Sequence, residues 1–173
     1  WPRKGFRKEP KSSVILEGRI FVSIVAYCDP ELPSTIISLL SHSERPDLLY
    51  IGLIWQGPET ELLLPTTELQ KFWTHESHET RLPTVTSLVL PTGTLDISTT
   101  HGGHLRVISM PAEDARGPCW ARYLAQLLWK KEELYLQLDS HMRFVPLWDR
   151  KARRDLLICQ QKSQKPVLCC YGR

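Results

Sequence analysis

The run Leu134-Tyr135-Leu136-Gln137-Leu138-Asp139-Ser140-His141-Met142-Arg143-Phe144 holds the residue types best suited to chemistry, with a carboxylate and an imidazole flanking one serine. In an extended chain side chains alternate between faces, so Asp139 and His141 are expected on one side and Ser140 on the other. A carboxylate oxygen and an imidazole nitrogen suit a borderline divalent cation such as Mn²⁺, with water or diphosphate oxygens completing its shell. By itself Asp-x-His is a weak motif that reads more often as ordinary strand-end polar residues or an Asp turn cap beside an exposed histidine. Its position after an apolar strand favours a ligand site, because ligands in open α/β sheets gather beyond the carboxyl ends of the strands.

Other chemistry-bearing residues give weaker patterns. His75/His78 and His101/His104 form two His-x-x-His pairs, but no helical frame or acidic ligand accompanies them. The five cysteines, Cys28, Cys119, Cys159, Cys169 and Cys170, show no Cys-x-x-Cys spacing. That argues against a zinc site and a disulfide framework and for a reducing compartment, with each thiol a small buried apolar residue. Basic residues cluster at Arg3, Lys4, Arg7, Lys8 and Lys11 and again at Arg150, Lys151, Arg153 and Arg154. They read as solvated ends and helix faces, with the second cluster close enough in sequence to Asp139 to suggest help in holding phosphate.

The elements that must position these residues follow from periodicity. Arg19 to Tyr27 is a nearly continuous β-branched and aromatic run, as in strands buried on both faces. After Cys28-Asp29-Pro30, Pro33 fits a helix's first turn and Ile36, Ile37, Leu39 and Leu40 supply its apolar stripe. Leu48 to Trp55 reads as the next strand, making a βαβ unit with parallel pairing and a right-handed crossover. Residues 57–103 lose any sustained period and read as an irregular excursion with one added strand at Val85 to Leu90. Leu105 to Met110 is the third core strand. Gly117-Pro118 then opens a helix whose Trp120, Tyr123, Leu124, Leu127 and Leu128 fall at helical spacing. Arg116 and Arg122 stand at or near that helix start, where a guanidinium fork can meet phosphate and where a surface ion pair is equally common. Glu133 to Leu138 forms the fourth strand, Trp148 to Gln161 a helix and Pro166 to Tyr171 a last strand.

Composition sets the bounds. A chain of 173 residues supports one sizeable core, and 42% hydrophobic with 24% charged residues is the balance of a soluble globular domain. Its apolar runs are far shorter than a bilayer requires, so no membrane span is expected. The 22 basic and 19 acidic residues leave a formal charge of +3, too little to argue for nucleic acid. The chain opens at Trp1 with a basic, apolar-poor segment over residues 1–18 and shows no signal peptide. It reads as a fragment, with one domain over residues 19–173.

Taken in order, four stretches resemble one family. They are Ile20-Phe-Val-Ser-Ile-Val-Ala-Tyr-Cys-Asp-Pro-Glu31, the strand ending Trp55-Gln56, Ala115-Arg-Gly-Pro-Cys-Trp-Ala-Arg-Tyr-Leu-Ala-Gln126, and Tyr135-Leu-Gln-Leu-Asp-Ser-His-Met-Arg-Phe-Val-Pro146. The family is that of the glycosyltransferases related to the cytoplasmic enzyme that attaches N-acetylglucosamine to hydroxyproline of the Skp1 protein. The resemblance implies an α/β GT-A fold, Rossmann-like, with a mostly parallel central sheet flanked by helices. It implies Asp139 and His141 as the metal motif of Asp-x-Asp type, similar to the Asp-Ser-His of polypeptide N-acetylgalactosaminyltransferases. It further implies Ala26, Tyr27 and Asp29 against uridine, Gln56 at the uracil edge and Arg116 facing the nucleotide or its diphosphate.

By the same resemblance the donor is UDP-GlcNAc, the cation Mn²⁺ or a similar metal, the acceptor a protein hydroxyl on a Skp1-like partner, and the location cytoplasmic. The anomeric configuration is retained. No base or nucleophile is assigned; Glu113, Asp114 and Asp149 lie near the motifs without a match. The acceptor-binding half that follows the last strand in the family is missing, so the domain is expected to be truncated on its C-terminal side. Two other functions fit parts of the pattern: a noncatalytic or degenerate nucleotide-sugar or partner-binding module, and a metal-dependent phosphoesterase, which needs more clustered carboxylates than the sequence offers.

Overall fold

A computed structural model describes residues 17–58, 61–62, 84–90, 93–100 and 104–169. In chain order its elements are β1 (Ile20–Tyr27), α1 (Leu32–Ser41), β2 (Leu49–Gln56), β3 (Thr84–Leu90), β4 (Gly93–Thr100), β5 (Leu105–Met110), α2 (Pro118–Leu127), β6 (Leu134–Asp139) and α3 (Trp148–Gln160). The strands form one sheet in the order β3-β4-β5-β2-β1-β6. Pairing is parallel across β5, β2, β1 and β6 and antiparallel where β3 and β4 extend the sheet beyond β5. This is the expected α/β, Rossmann-like arrangement. The order of the parallel strands turns back between β1 and β6, and a crevice opens at such a reversal.

Strand position explains strand composition. β1 has a neighbour on each side and helices on both faces, and its residues Ile20 to Ile24 are buried throughout. β6 is an edge strand and alternates, with Leu134, Leu136 and Leu138 turned to the core and Tyr135, Gln137 and Asp139 exposed. One face of the sheet packs Val22 and Ile24 of β1 and Ile51, Leu53 and Trp55 of β2 against Leu32, Ile36, Leu39 and Leu40 of α1 and Trp148 of α3. The other packs Phe21, Ile54, Ile108 and Met110 against Ala121, Leu124, Ala125 and Leu128. A large side chain buried this fully contributes roughly 1.5–3 kcal/mol. Gly52 lets Phe21 lie across β2, because a Cβ there would sit 2.2 Å from the ring's Cζ.

Several expectations need correction. The region 57–103 is not irregular throughout: it holds the β3–β4 hairpin, two strands where the sequence suggested one. The second, Gly-Thr-Leu-Asp-Ile-Ser-Thr-Thr, hid because its β-branched residues are mostly polar and break the apolar alternation. Residues 166–169 of the expected last strand join no strand among the described residues; Pro166 lacks an amide, and Val167 is 87% exposed, so no burial holds the segment extended. The rest of that stretch lies outside the described residues. In α2 the packing face is centred on Ala121 and Ala125, while Tyr123 and Leu127 face solvent, because the small alanines allow the helix to approach the sheet. Cys28, Cys119 and Cys169 are exposed and Cys159 half-buried, so these thiols are not core residues.

Candidate functional site

The carboxyl ends of β1, β2 and β5 are joined by backbone bonds that run past the strands. The Cys28 amide donates to the Gln56 carbonyl (3.0 Å) and the Gly57 amide to the Met110 carbonyl (2.9 Å). Cys28 takes a left-handed conformation (φ 45°), which swings the chain from β1 toward α1 and sets Asp29 above the boundary with β6.

Asp29 is where the ends of β1 and β6 meet. Its Oδ1 accepts the Glu31 amide (2.9 Å), an Asx-type turn into α1. Its Oδ2 accepts both the Ser140 hydroxyl and His141 Nδ1, the latter at 3.0 Å. Burial would push the Asp29 carboxyl up, but hydrogen bonds from Ser140, the Glu31 amide and His141 outweigh it and hold the group below the usual carboxylate range.

β6 ends at Asp139, so the alternation expected to continue to His141 stops there. Asp139 stays on the exposed side of the strand, where its Oδ1 meets Arg122 Nη2 of α2 at 3.3 Å. Ser140 is buried and shares Asp29 with the exposed His141, rather than facing away from it. Thr35, buried in α1, fixes the turn on both sides of His141: its hydroxyl donates to the Ser140 carbonyl (2.6 Å) and accepts the Met142 amide (3.0 Å). The chain then runs back along α1, with the Phe144 amide on Ser38 Oγ (3.0 Å) and the Leu147 amide on the His42 carbonyl (2.7 Å). Arg143 pairs with Glu31 across the helix start.

Thr35 and Ser38 were absent from the sequence reading of this site. Their signal was available: two hydroxyls inside an otherwise apolar helix face, where a buried hydroxyl needs a partner.

The remaining expected residues are spread around the same edge. Tyr27 is 60% exposed at the end of β1, whereas Ala26 is buried in the core beneath α1. Gln56 is buried, and its amide nitrogen lies 3.9 Å from Met110 Sδ. Arg116 is exposed and stacks its guanidinium 5.5 Å from the centre of the Trp120 ring, just before Gly117 (φ 85°) opens α2.

The basic cluster of α3 lies elsewhere. Arg150 pairs with Glu44 and Arg153 donates to the Gly18 carbonyl ahead of β1, so the cluster sits at the amino edge of the sheet. The run along α1 carries the chain that far before α3 begins. Asp149 lies there too, buried and accepting the Glu44 and Arg45 amides (2.8 and 3.0 Å). His104 is buried beside Tyr50 and donates from Nδ1 to the Leu49 carbonyl (2.8 Å). Its supposed mate His101, with His75 and His78, falls outside the described residues.

A metal at this edge would find few protein donors. Among the described residues no three His, Cys, Asp or Glu side chains converge in a metal-binding arrangement. Asp139, 60% exposed, and His141, 65% exposed, are an oxygen and a nitrogen donor at one strand end. That donor set fits a cation that takes most of its shell from substrate phosphate and water.

Comparison with known proteins gives one match. A family model described as Glycosyltransferase (GlcNAc) matches residues 19–173, nearly the whole chain. No curated protein and no solved structure matches. Among the described residues no helix is long and apolar enough to cross a membrane.

Proposed function

The chain belongs to the glycosyltransferase (GlcNAc) family, and from that premise we propose that it moves N-acetylglucosamine from UDP-GlcNAc to a protein hydroxyl. The acceptor we propose is hydroxyproline on a Skp1-like protein, on the strength of the resemblance of its motifs. Asp139 and His141 would hold Mn²⁺ or a similar cation. The observation that carries this reading is the position of those two residues at the carboxyl end of β6, beside the end of β1 where the order of parallel strands reverses.

The chemistry follows from charge. Breaking the bond between the anomeric carbon and the diphosphate oxygen leaves negative charge on UDP, and a bound cation supplies Lewis-acid stabilisation of that leaving group. The chain's own contribution is positional. Both α1 and α2 begin at this edge, so the positive ends of their dipoles lie there. Arg122 already stands within 3.3 Å of Asp139, and Arg116 stands ahead of α2; either guanidinium can add a fork to phosphate. Asp149 takes no part, because its oxygens cap two amides at the opposite edge.

Calorimetric titration of the full chain with UDP tests the donor site. Mn²⁺ is expected to tighten UDP binding by roughly tenfold or more, and Asp139→Asn to remove that gain. Equal affinity with metal, without metal and in the variant overturns the site. Transfer of labelled sugar to a hydroxyproline peptide, and none to its proline counterpart, checks the acceptor; UDP binding without any turnover would instead mark a noncatalytic module.

A further inference from the structure

Asp29 does more than begin a helix. Both oxygens of its carboxylate are engaged: Oδ1 by the Glu31 amide, and Oδ2 by the Ser140 hydroxyl and His141 Nδ1. The side chain is only 17% exposed, whereas the His141 ring it holds is 65% exposed. Thr35 pins the backbone on both sides of that ring, through the Ser140 carbonyl and the Met142 amide. His141 is therefore fixed at its main chain by a helix hydroxyl and at its ring by a carboxylate.

A carboxylate can only accept, so in the neutral ring the Nδ1 facing it must carry the proton. The lone pair then belongs to Nε2, on the far edge of the exposed ring. Metal-bound histidines are commonly held in this way, with the second ring nitrogen tied to a carboxylate that sets tautomer and ring plane.

We infer that Asp29 is a positioning residue which locks His141 in the Nδ1–H tautomer and so presents Nε2 to a divalent cation, rather than being itself a contact to the nucleotide. The inference rests on the metal reading proposed above, but its first half stands on the geometry alone. The double occupancy of Oδ2, by the Ser140 hydroxyl and the ring Nδ1 together, supports it, as does the low exposure of the Asp29 side chain.

The test reads the tautomer directly. Long-range nitrogen–proton NMR on the full chain, labelled at histidine and free of metal, is run at about pH 8, above the ordinary imidazole range. His141→Gln identifies the resonance among the six histidines. Wild type is expected to show Nδ1–H at His141, as is Ser140→Ala, which leaves the acceptor in place. Asp29→Ala is expected to lose that preference and to weaken Mn²⁺ binding, measured by water-proton relaxation, by roughly 10–100-fold. An Nε2–H tautomer in wild type overturns the inference without any need for the variant to fold, and so does an unchanged tautomer in Asp29→Ala. If His141→Gln leaves Mn²⁺ affinity unchanged, the metal reading fails, and the tautomer result shows separately whether Asp29 orients the ring.

Discussion

The two edges of the parallel sheet carry similar residues in opposite conditions. At the amino edge the charged groups are tied to one another and to the backbone. Glu132 is fully buried with Arg106 at 2.6 Å and the Lys130 amide at 2.8 Å, and Glu133 takes both the side chain and the amide of Arg19. Asp149 caps two amides and Arg153 reaches the Gly18 carbonyl. At the carboxyl edge Asp139, 60% exposed, meets Arg122 alone among the described residues, at 3.3 Å, while His141 is bound through one ring nitrogen. Charge at the first edge ties strand starts together. At the second, Asp139 and His141 stay exposed to solvent, at the edge where loops of a doubly wound sheet form the binding crevice.

The sharpest way to break this contrast is to remove a carboxylate from each edge. Glu132→Ala leaves the buried Arg106 without its counter-ion and is expected to cost about 3–5 kcal/mol of stability, measured by urea unfolding. Asp139→Asn, losing one exposed ion pair, is expected to cost about 0–1 kcal/mol in the same measurement. Equal losses would mean that the carboxyl edge is structural after all.

A smaller effect is expected at Asp149. The Asn variant turns an NH₂ toward one of the two amides the carboxylate now accepts, at a cost of about 1–3 kcal/mol. A lowered thermal midpoint with no change in UDP affinity would confirm that this acid belongs to the amino edge alone.

The smallest effect is in the pH dependence of the Arg19–Glu133 pair. The hydrogen bond from Arg19 leads the causes that hold the Glu133 carboxyl down from an ordinary 4.5 to about 2. Because the folded value is the lower one, the stabilisation is complete above about pH 4.5 and fades as pH falls toward 2. The two side chains are 42% and 32% exposed, so solvent screening keeps the effect to about 0–1 kcal/mol. Comparing wild type with Glu133→Gln by urea unfolding at about pH 6 and about pH 3 should show the difference shrinking at the lower pH.

The parallel strands were legible because burial on both faces leaves unbroken apolar runs, as in β1 and β2. β4 was not, because Thr and Ser can fill a strand without marking a hydrophobic face. At the site, Asp139 and His141 stood out by residue type and by their place after an apolar strand. Their partners did not. Asp29 lies more than a hundred residues away in sequence, and no local pattern announces that its carboxylate meets Ser140 and His141. Extrapolating strand alternation through Ser140 failed for a tertiary reason: Thr35, distant in sequence, holds the Ser140 carbonyl where the strand has ended at Asp139.

The tethering of residues 141–147 to α1 has a geometric consequence. Asp29 leads into that helix, and Thr35, Ser38 and His42 hold the returning segment along it, so helix, turn and imidazole form one hydrogen-bonded unit. Asp139 rides instead on the sheet. The imidazole is thus placed by the helix and the carboxylate by the strand, so the geometry of the two together depends on how α1 packs on the sheet.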